Sequence, residues 1–196
     1  MALKLNIIVA STRPGRRGLA VGEWASALTR RHSAFEVELC DLKSFSLPLF
    51  DEPNHPVLKD YQHEHTQRWS CVNDAADAFV FVMPEYDYFP PASLVNAIQA
   101  LHKEWQRKPA GIVGYGGVSG GLRAIQAIKL LLAAVNIMPI SQEVPVPFFS
   151  KSISEDGIFR PIAEVEQGMK LMLGELSRWA EALAVMRMQR ALDDVA

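Results

Sequence analysis

Only two cysteines occur among the 196 residues, and Cys40 and Cys71 lack the paired spacing of a disulfide framework, a zinc site or a C-x-x-C redox motif. Both read as reduced structural thiols. No apolar stretch reaches the length of a membrane span. The apolar run over 5–10 is too short for the core of a secretory signal, and it leads into arginines and glycines instead of a cleavage site. A cytoplasmic location is the resulting expectation. An excess of one charge is also missing. The 20 basic and 22 acidic side chains leave a net charge of −2, without the positive surplus that displaces counterions from nucleic acid. Neither nucleic acid nor membrane is an expected partner; a small molecule is. There is no internal repeat and no low-complexity linker. The G-x-G-x-x-G of dinucleotide folds and the lysine of a P-loop are absent too, which disfavours a pyrophosphate cradle. His55, His63 and His65 beside Glu64 do not read as a metal set, because positions i and i+2 of a helix face apart. They read as a solvated polar face.

What remains is a chain with 49% hydrophobic residues, long enough to bury one core without staples, so one domain over 1–196 is expected. A continuous apolar, β-branched run over 5–10 predicts a strand buried on both faces. Leu19, Ala20, Trp24, Ala27 and Leu28 then recur at helical spacing and predict a helix over 19–31. Alternation over 35–40 predicts a sheet-edge strand, and a polar helix follows over 58–76. The run over 78–83 is the most strand-like, with Pro84 expected to end its ladder. Pro91 suits the first turn of a helix carrying Leu94, Val95, Ala97, Ile98 and Leu101. A strand over 109–115, an apolar helix over 122–135, a strand over 136–141 and a helix over 160–191, broken near Gly174, complete the order. The last helix is expected to cover the sheet with Leu171, Leu173, Leu176, Trp179, Leu183 and Met186. Five strands alternating with five helices predict a doubly wound, flavodoxin-like α/β fold, its parallel strands in the order 2-1-3-4-5 with helices on both faces.

Ligands of such sheets bind beyond the carboxyl ends of the strands, where the strand order reverses. That rule selects loops after the first, third and fourth strands. The first, over 11–18, combines the hydroxyls of Ser11 and Thr12, the freedom of Gly15 and Gly18, and Arg13, Arg16 and Arg17 ahead of a helix. Amides, dipole and guanidinium groups together suit a terminal phosphate. In the second, over 83–92, the Tyr86 face can stack on a planar ring, and backbone beside Pro84 and Glu85 can meet the ring's polar edge. Asp87 is assigned to the ring as well. Tyr88 and Phe89 fit ligand contact or subunit contact equally. The third loop, over 114–121, is dense in glycine and lets backbone approach a ligand closely. The longer loop over 43–57 is a candidate further wall.

Together these loops resemble those of the NAD(P)H-dependent FMN reductase family, which includes chromate-, quinone- and azo-reducing members. Ser11, Thr12, Arg13 and Arg16 match its phosphate loop; Pro84, Glu85, Tyr86, Pro91, Leu94, Asn96 and Ala97 match its ring loop. Tyr115, Gly116, Gly117, Gly120, Gly121, Arg123 and Ala124 match its third loop, and Leu47-Pro48-Leu49-Phe50-Asp51 is also typical of it. The resemblance implies FMN held by the phosphate-loop residues with Gly18, by Pro84, Glu85, Tyr86 and Asp87, and by Tyr115, Gly116 and Gly117. It further implies NAD(P)H as the hydride source, a flavin, quinone, azo or metal-oxyanion acceptor, no catalytic side chain, and a homodimer or homotetramer. Ala10, Asp87 and Val95 depart from the family pattern. An ionised Asp87 can accept a hydrogen bond but cannot donate to a ring carbonyl, so weaker FMN retention or a lower potential is expected. A flavodoxin-like electron carrier or a non-catalytic flavin-binding module is the alternative; such carriers are strongly acidic and lack an arginine-rich phosphate loop.

Overall fold

The structure, a computed structural model, describes residues 2–193, so Met1 and residues 194–196 of the expected domain lie outside it. Five strands pair in parallel in the order β2-β1-β3-β4-β5. They are β1 (Lys4–Val9), β2 (Glu36–Asp41), β3 (Ala78–Pro84), β4 (Lys108–Tyr115) and β5 (Ile137–Val146). The helices are α1 (Gly18–His32), α2 (Leu42–Phe45), α3 (Glu64–Asp74), α4 (Ala92–Gln99), α5 (Leu122–Ala134) and α6 (Ala163–Asp193).

The pleat of β3 explains the layering. Phe79, Phe81 and Met83 pack on one face with Trp69 of α3, Ile98 of α4 and Ile125 of α5. Val80 and Val82 face the other way, against Val21 and Leu28 of α1 and Met169 and Met172 of α6. Fully burying each such side chain is worth about 1.5–3 kcal/mol, so a central strand apolar on both faces requires helices on both.

Local chemistry moves several boundaries. α3 starts at Glu64, not at 58, because Lys59 adopts a left-handed φ of 56° after a short 3₁₀ turn. The Glu52 carboxylate then accepts from the Gln62 and His63 amides at 2.7 and 3.0 Å, ahead of the helix. Pro84 does not end its ladder: it stands opposite Tyr115 in register, and the Glu85 amide donates to the Tyr115 carbonyl at 2.9 Å. A proline removes one donor only, and here the next residue supplies it. Pro91 is the N-cap of α4 and not its first helical residue. β5 runs on to Val146 past a register shift between Ala110 and Ile112 of β4. A sixth helix, α2, occupies the start of the long loop.

α6 passes Gly174 unbroken. An exposed glycine costs a helix about 1 kcal/mol against alanine, and buried Met172, Leu173 and Leu176 on both sides outweigh that. Its buried stripe is Val165, Met169, Met172, Leu173, Leu176, Ala180 and Leu183. Leu171, Trp179 and Met186 are exposed, since a 3.6-residue period anchored on Met169 turns them away from the sheet.

Candidate functional site

The chain leaves β1 at the carboxyl rim and reaches α1 through residues 10–17. Ser11 is buried, and its hydroxyl shares a hydrogen bond of 3.1 Å with the Tyr86 hydroxyl. Arg16 folds back across the loop, donates to the Ser11 carbonyl at 2.6 Å and sets its fork on both carboxylate oxygens of Asp41 at the end of β2. Burial alone would raise the Asp41 carboxyl, but the Arg16 bonds and the Lys43 amide overcome it and hold that group below its ordinary range. Arg16 therefore clasps the loop, and its charge is already offset. Arg13 and Arg17 are exposed and have no ion-pair partner among the described residues. Arg17 caps α1 without offering a side-chain acceptor, and no acid stands in the first turn. The positive end of the helix dipole is thus left uncompensated.

After β3, Tyr86 and Phe89 exchange backbone hydrogen bonds of 2.9 Å around Asp87 and Tyr88, whose φ angles are 48° and 73°. Positive φ at both central residues defines the primed two-residue turn that aspartate and asparagine tolerate. Asp87 accordingly sits at the tip of a hairpin, outside the residues that line the cleft. The hairpin is tied to α5. The Arg123 guanidinium lies 4.1 Å from the centre of the Tyr88 ring. Glu85 accepts from the Ser119 hydroxyl at 2.7 Å, the Arg123 and Ala124 amides at 3.0 and 3.3 Å, and the Arg123 side chain at 3.1 Å. Burial works to raise the Glu85 carboxyl, yet these donors bring it below its ordinary value. Its carboxylate and its amide are both committed within the protein.

The third loop closes tightly on β4. Gly121 has φ 86°, and a Cβ there would lie 2.5 Å from the Tyr115 amide, so only glycine fits. The Val146 amide donates to Gly120 at 3.0 Å and the Phe148 amide to Gly117 at 2.9 Å, which brings the segment after β5 to the same rim. Tyr115 is 2% exposed. By distance and angle its buried hydroxyl makes no hydrogen bond, although the Ser11 hydroxyl lies close enough to act on it. Burial first and neighbouring Tyr86 second push this phenol above its ordinary value, against the pull of Ser11, Arg16 and Arg13.

All the expected site residues except Thr12 and Asp87 line one cleft of about 310 Å³. Thr12 instead lines a separate hollow with Lys43, Ser93 and Asn96. Four residues not assigned to the site join the cleft: Arg17, Phe148, Phe149 and Ser150. The last three were missed because the final strand was expected to stop at 141; the aromatic pair after Pro147 is the signal that could have found them. The 43–57 loop provides no wall of this cleft. Asn96 holds it over α4, donating to the Pro48 carbonyl at 2.7 Å and accepting from the Phe50 amide at 2.9 Å. His63 and His65 are not simply solvated: their rings stack at 5.2 Å and both reach Asp51.

A family model described as NADPH-dependent FMN reductase matches residues 3–151. A Schizosaccharomyces pombe NAD(P)H-dependent FMN reductase is 32% identical over 184 residues, covering 91% of each chain. A Nectria protein with the same description is 31% identical over 201 residues, covering 98% of this chain and 94% of its own. Among solved structures, the NAD(P)H:acceptor flavoenzyme FerB of Paracoccus denitrificans superposes with a TM-score of 0.69 at 21% identity, covering 93% of this chain and 98% of its own. A Streptococcus pneumoniae flavodoxin gives 0.56 at 11% identity, covering 91% of this chain and 99% of its own. These two likenesses show the fold. Among the described residues no helix is long and apolar enough to cross a membrane.

Proposed function

The chain belongs to the NADPH-dependent FMN reductase family, and from that membership we propose that it is an FMN-dependent oxidoreductase that passes electrons from NAD(P)H to a flavin, quinone, azo or metal-oxyanion acceptor. The observation that carries the reading is the convergence, in one cleft, of an uncapped helix N-terminus, two unpaired arginines and an aromatic, glycine-lined wall. The residues fit the group. A terminal phosphate suits the α1 N-terminus with Ser11, Arg13 and Arg17, where fixed amides and guanidinium groups replace water around a dianion. A flat ring suits the far end, where Gly116 and Gly117 bring no side chain and Tyr86, Phe148 and Phe149 offer aromatic surface.

The chemistry that FMN supplies when bound is acceptance and delivery of a hydride equivalent. The protein's share is positioning. Arg16 and Asp41 fix the phosphate loop, Glu85 fixes the ring hairpin against α5, and the Ser11–Tyr86 hydrogen bond joins the two loops. No side chain needs to act as nucleophile or general base. Self-association and a cytoplasmic location belong to the same proposal. Tyr88 and Phe89, 60% and 65% exposed beside the cleft, offer an apolar contact, and light scattering is expected to report a dimer or tetramer, a monomer at micromolar concentration refuting it. Cys40 and Cys71 are free thiols, as suits a reducing compartment.

The test is steady-state turnover. FMN-loaded protein is expected to oxidise NADH or NADPH when a quinone, azo dye, free flavin or chromate is supplied. Absence of turnover with all four would refute the proposal.

A further inference from the structure

Of the described non-glycine residues that line the cleft, Phe148 alone has a left-handed backbone, with φ 48° and ψ 38°. Glycine enters that region freely and a bulky residue does not, so a phenylalanine there carries its ring at a backbone cost. Hydrogen bonds on both sides hold the strained residue. The Phe148 amide donates to the Gly117 carbonyl at 2.9 Å, and the Phe148 carbonyl accepts from the Lys151 amide at 2.9 Å. The ring does little for the core: it is 47% exposed, with the Lys151 ammonium over it at 5.0 Å. Its aromatic neighbours in the cleft are otherwise engaged. Phe149 packs on Tyr115 with 4.7 Å between ring centres, and the Tyr86 hydroxyl is bonded to Ser11. Phe148 therefore offers the cleft an exposed aromatic ring, held beside the glycine wall by its own amide.

We infer that Phe148 is a specificity-determining residue for the electron acceptor, its ring selecting flat aromatic acceptors such as quinones over compact metal oxyanions. This rests on the flavin reading above and deepens it by ranking the acceptors. A planar acceptor gains from an aromatic neighbour in an offset or edge arrangement. A tetrahedral oxyanion has no such face, and its preferred partners are cations and hydrogen-bond donors. The pinned backbone also limits the freedom that Phe148 loses when an acceptor arrives. A phenylalanine that only filled space would be buried, in an ordinary backbone region.

Phe148→Leu keeps an apolar side chain and removes the aromatic ring, whereas Phe148→Tyr keeps the ring. FMN-loaded wild type and both variants are assayed with NADH and NADPH against a naphthoquinone and against chromate, and the FMN Kd of each is measured. In Phe148→Leu the ratio of the naphthoquinone KM to the chromate KM is expected to rise about 3- to 10-fold, as for loss of one aromatic contact. Phe148→Tyr is expected to hold that ratio within about twofold of wild type. An unchanged ratio in Phe148→Leu, an equal rise in Phe148→Tyr, or a wild type that reduces chromate but not the naphthoquinone would overturn the inference and leave the flavin reading intact. Equal weakening toward both acceptors with a higher FMN Kd would overturn it too, because the ring would then serve the cofactor. A wild-type protein that turns over no acceptor would remove the reading and the inference with it.

Discussion

Arg13 and Arg16 occupy one loop and have opposite tasks. Arg16 is sheltered and paired with Asp41, so Arg16→Ala leaves a part-buried carboxylate uncompensated and is expected to lower stability by about 3 kcal/mol, read as a lower urea midpoint. Arg13 is exposed and has no ion-pair partner among the described residues. Arg13→Ala is expected to leave stability within about 0.5 kcal/mol while weakening FMN binding about tenfold, an effect that fades as salt is added. Equal losses of stability in the two variants would contradict this division. The sequence marks both as phosphate-loop cations, because a guanidinium announces an anion but not which one. Asp41 becomes the partner of Arg16 only when β1 and β2 lie side by side, a non-local fact. Arg17 also lines the cleft.

At the scale of elements, the ring hairpin and α5 behave as one unit through Glu85. The Glu85 carboxylate accepts from first-turn amides of α5, whose N-cap is Gly121; weakening such an acceptor costs about 1 kcal/mol, and Glu85→Gln is expected to lower the melting temperature by roughly 2–4 °C for a chain of this length. The pH dependence has a definite sign. The Glu85 carboxyl lies lower in the folded protein than its ordinary value, so its contribution is complete above the ordinary glutamate range and is lost as pH falls through the lowered folded value. The melting difference between wild type and Glu85→Gln should therefore shrink on acidification; a difference that grows would reject the capping role. The element order was legible because buried parallel strands and amphipathic helices carry distinct periods. The start of α3 and the length of β5 were not, since a left-handed Lys59 and a register shift leave no trace in hydrophobic periodicity. The turn at Asp87 was not legible either: it is a central residue of a primed turn, a place that aspartate and asparagine both tolerate.

For the whole molecule, strand order and the placement of the site on the carboxyl rim follow from crossover handedness and from loops that read as ligand-binding. The helix-covered sheet keeps three loops from distant parts of the chain on one rim, so a phosphate end and a ring end can be built from residues more than 100 positions apart. The 43–57 loop departs from that rule. Its length and composition suggested a wall, yet the Asn96 clamp holds it over α4, outside the cleft. In the proposed function this cleft holds FMN in reach of a reduced nicotinamide. Anaerobic rapid mixing of the FMN-loaded protein with NADH and with NADPH tests it most directly. First-order bleaching of the visible flavin band is expected with at least one nucleotide, at a rate that saturates with nucleotide concentration. A band that stays unchanged with both, in protein that dithionite still reduces, would contradict it.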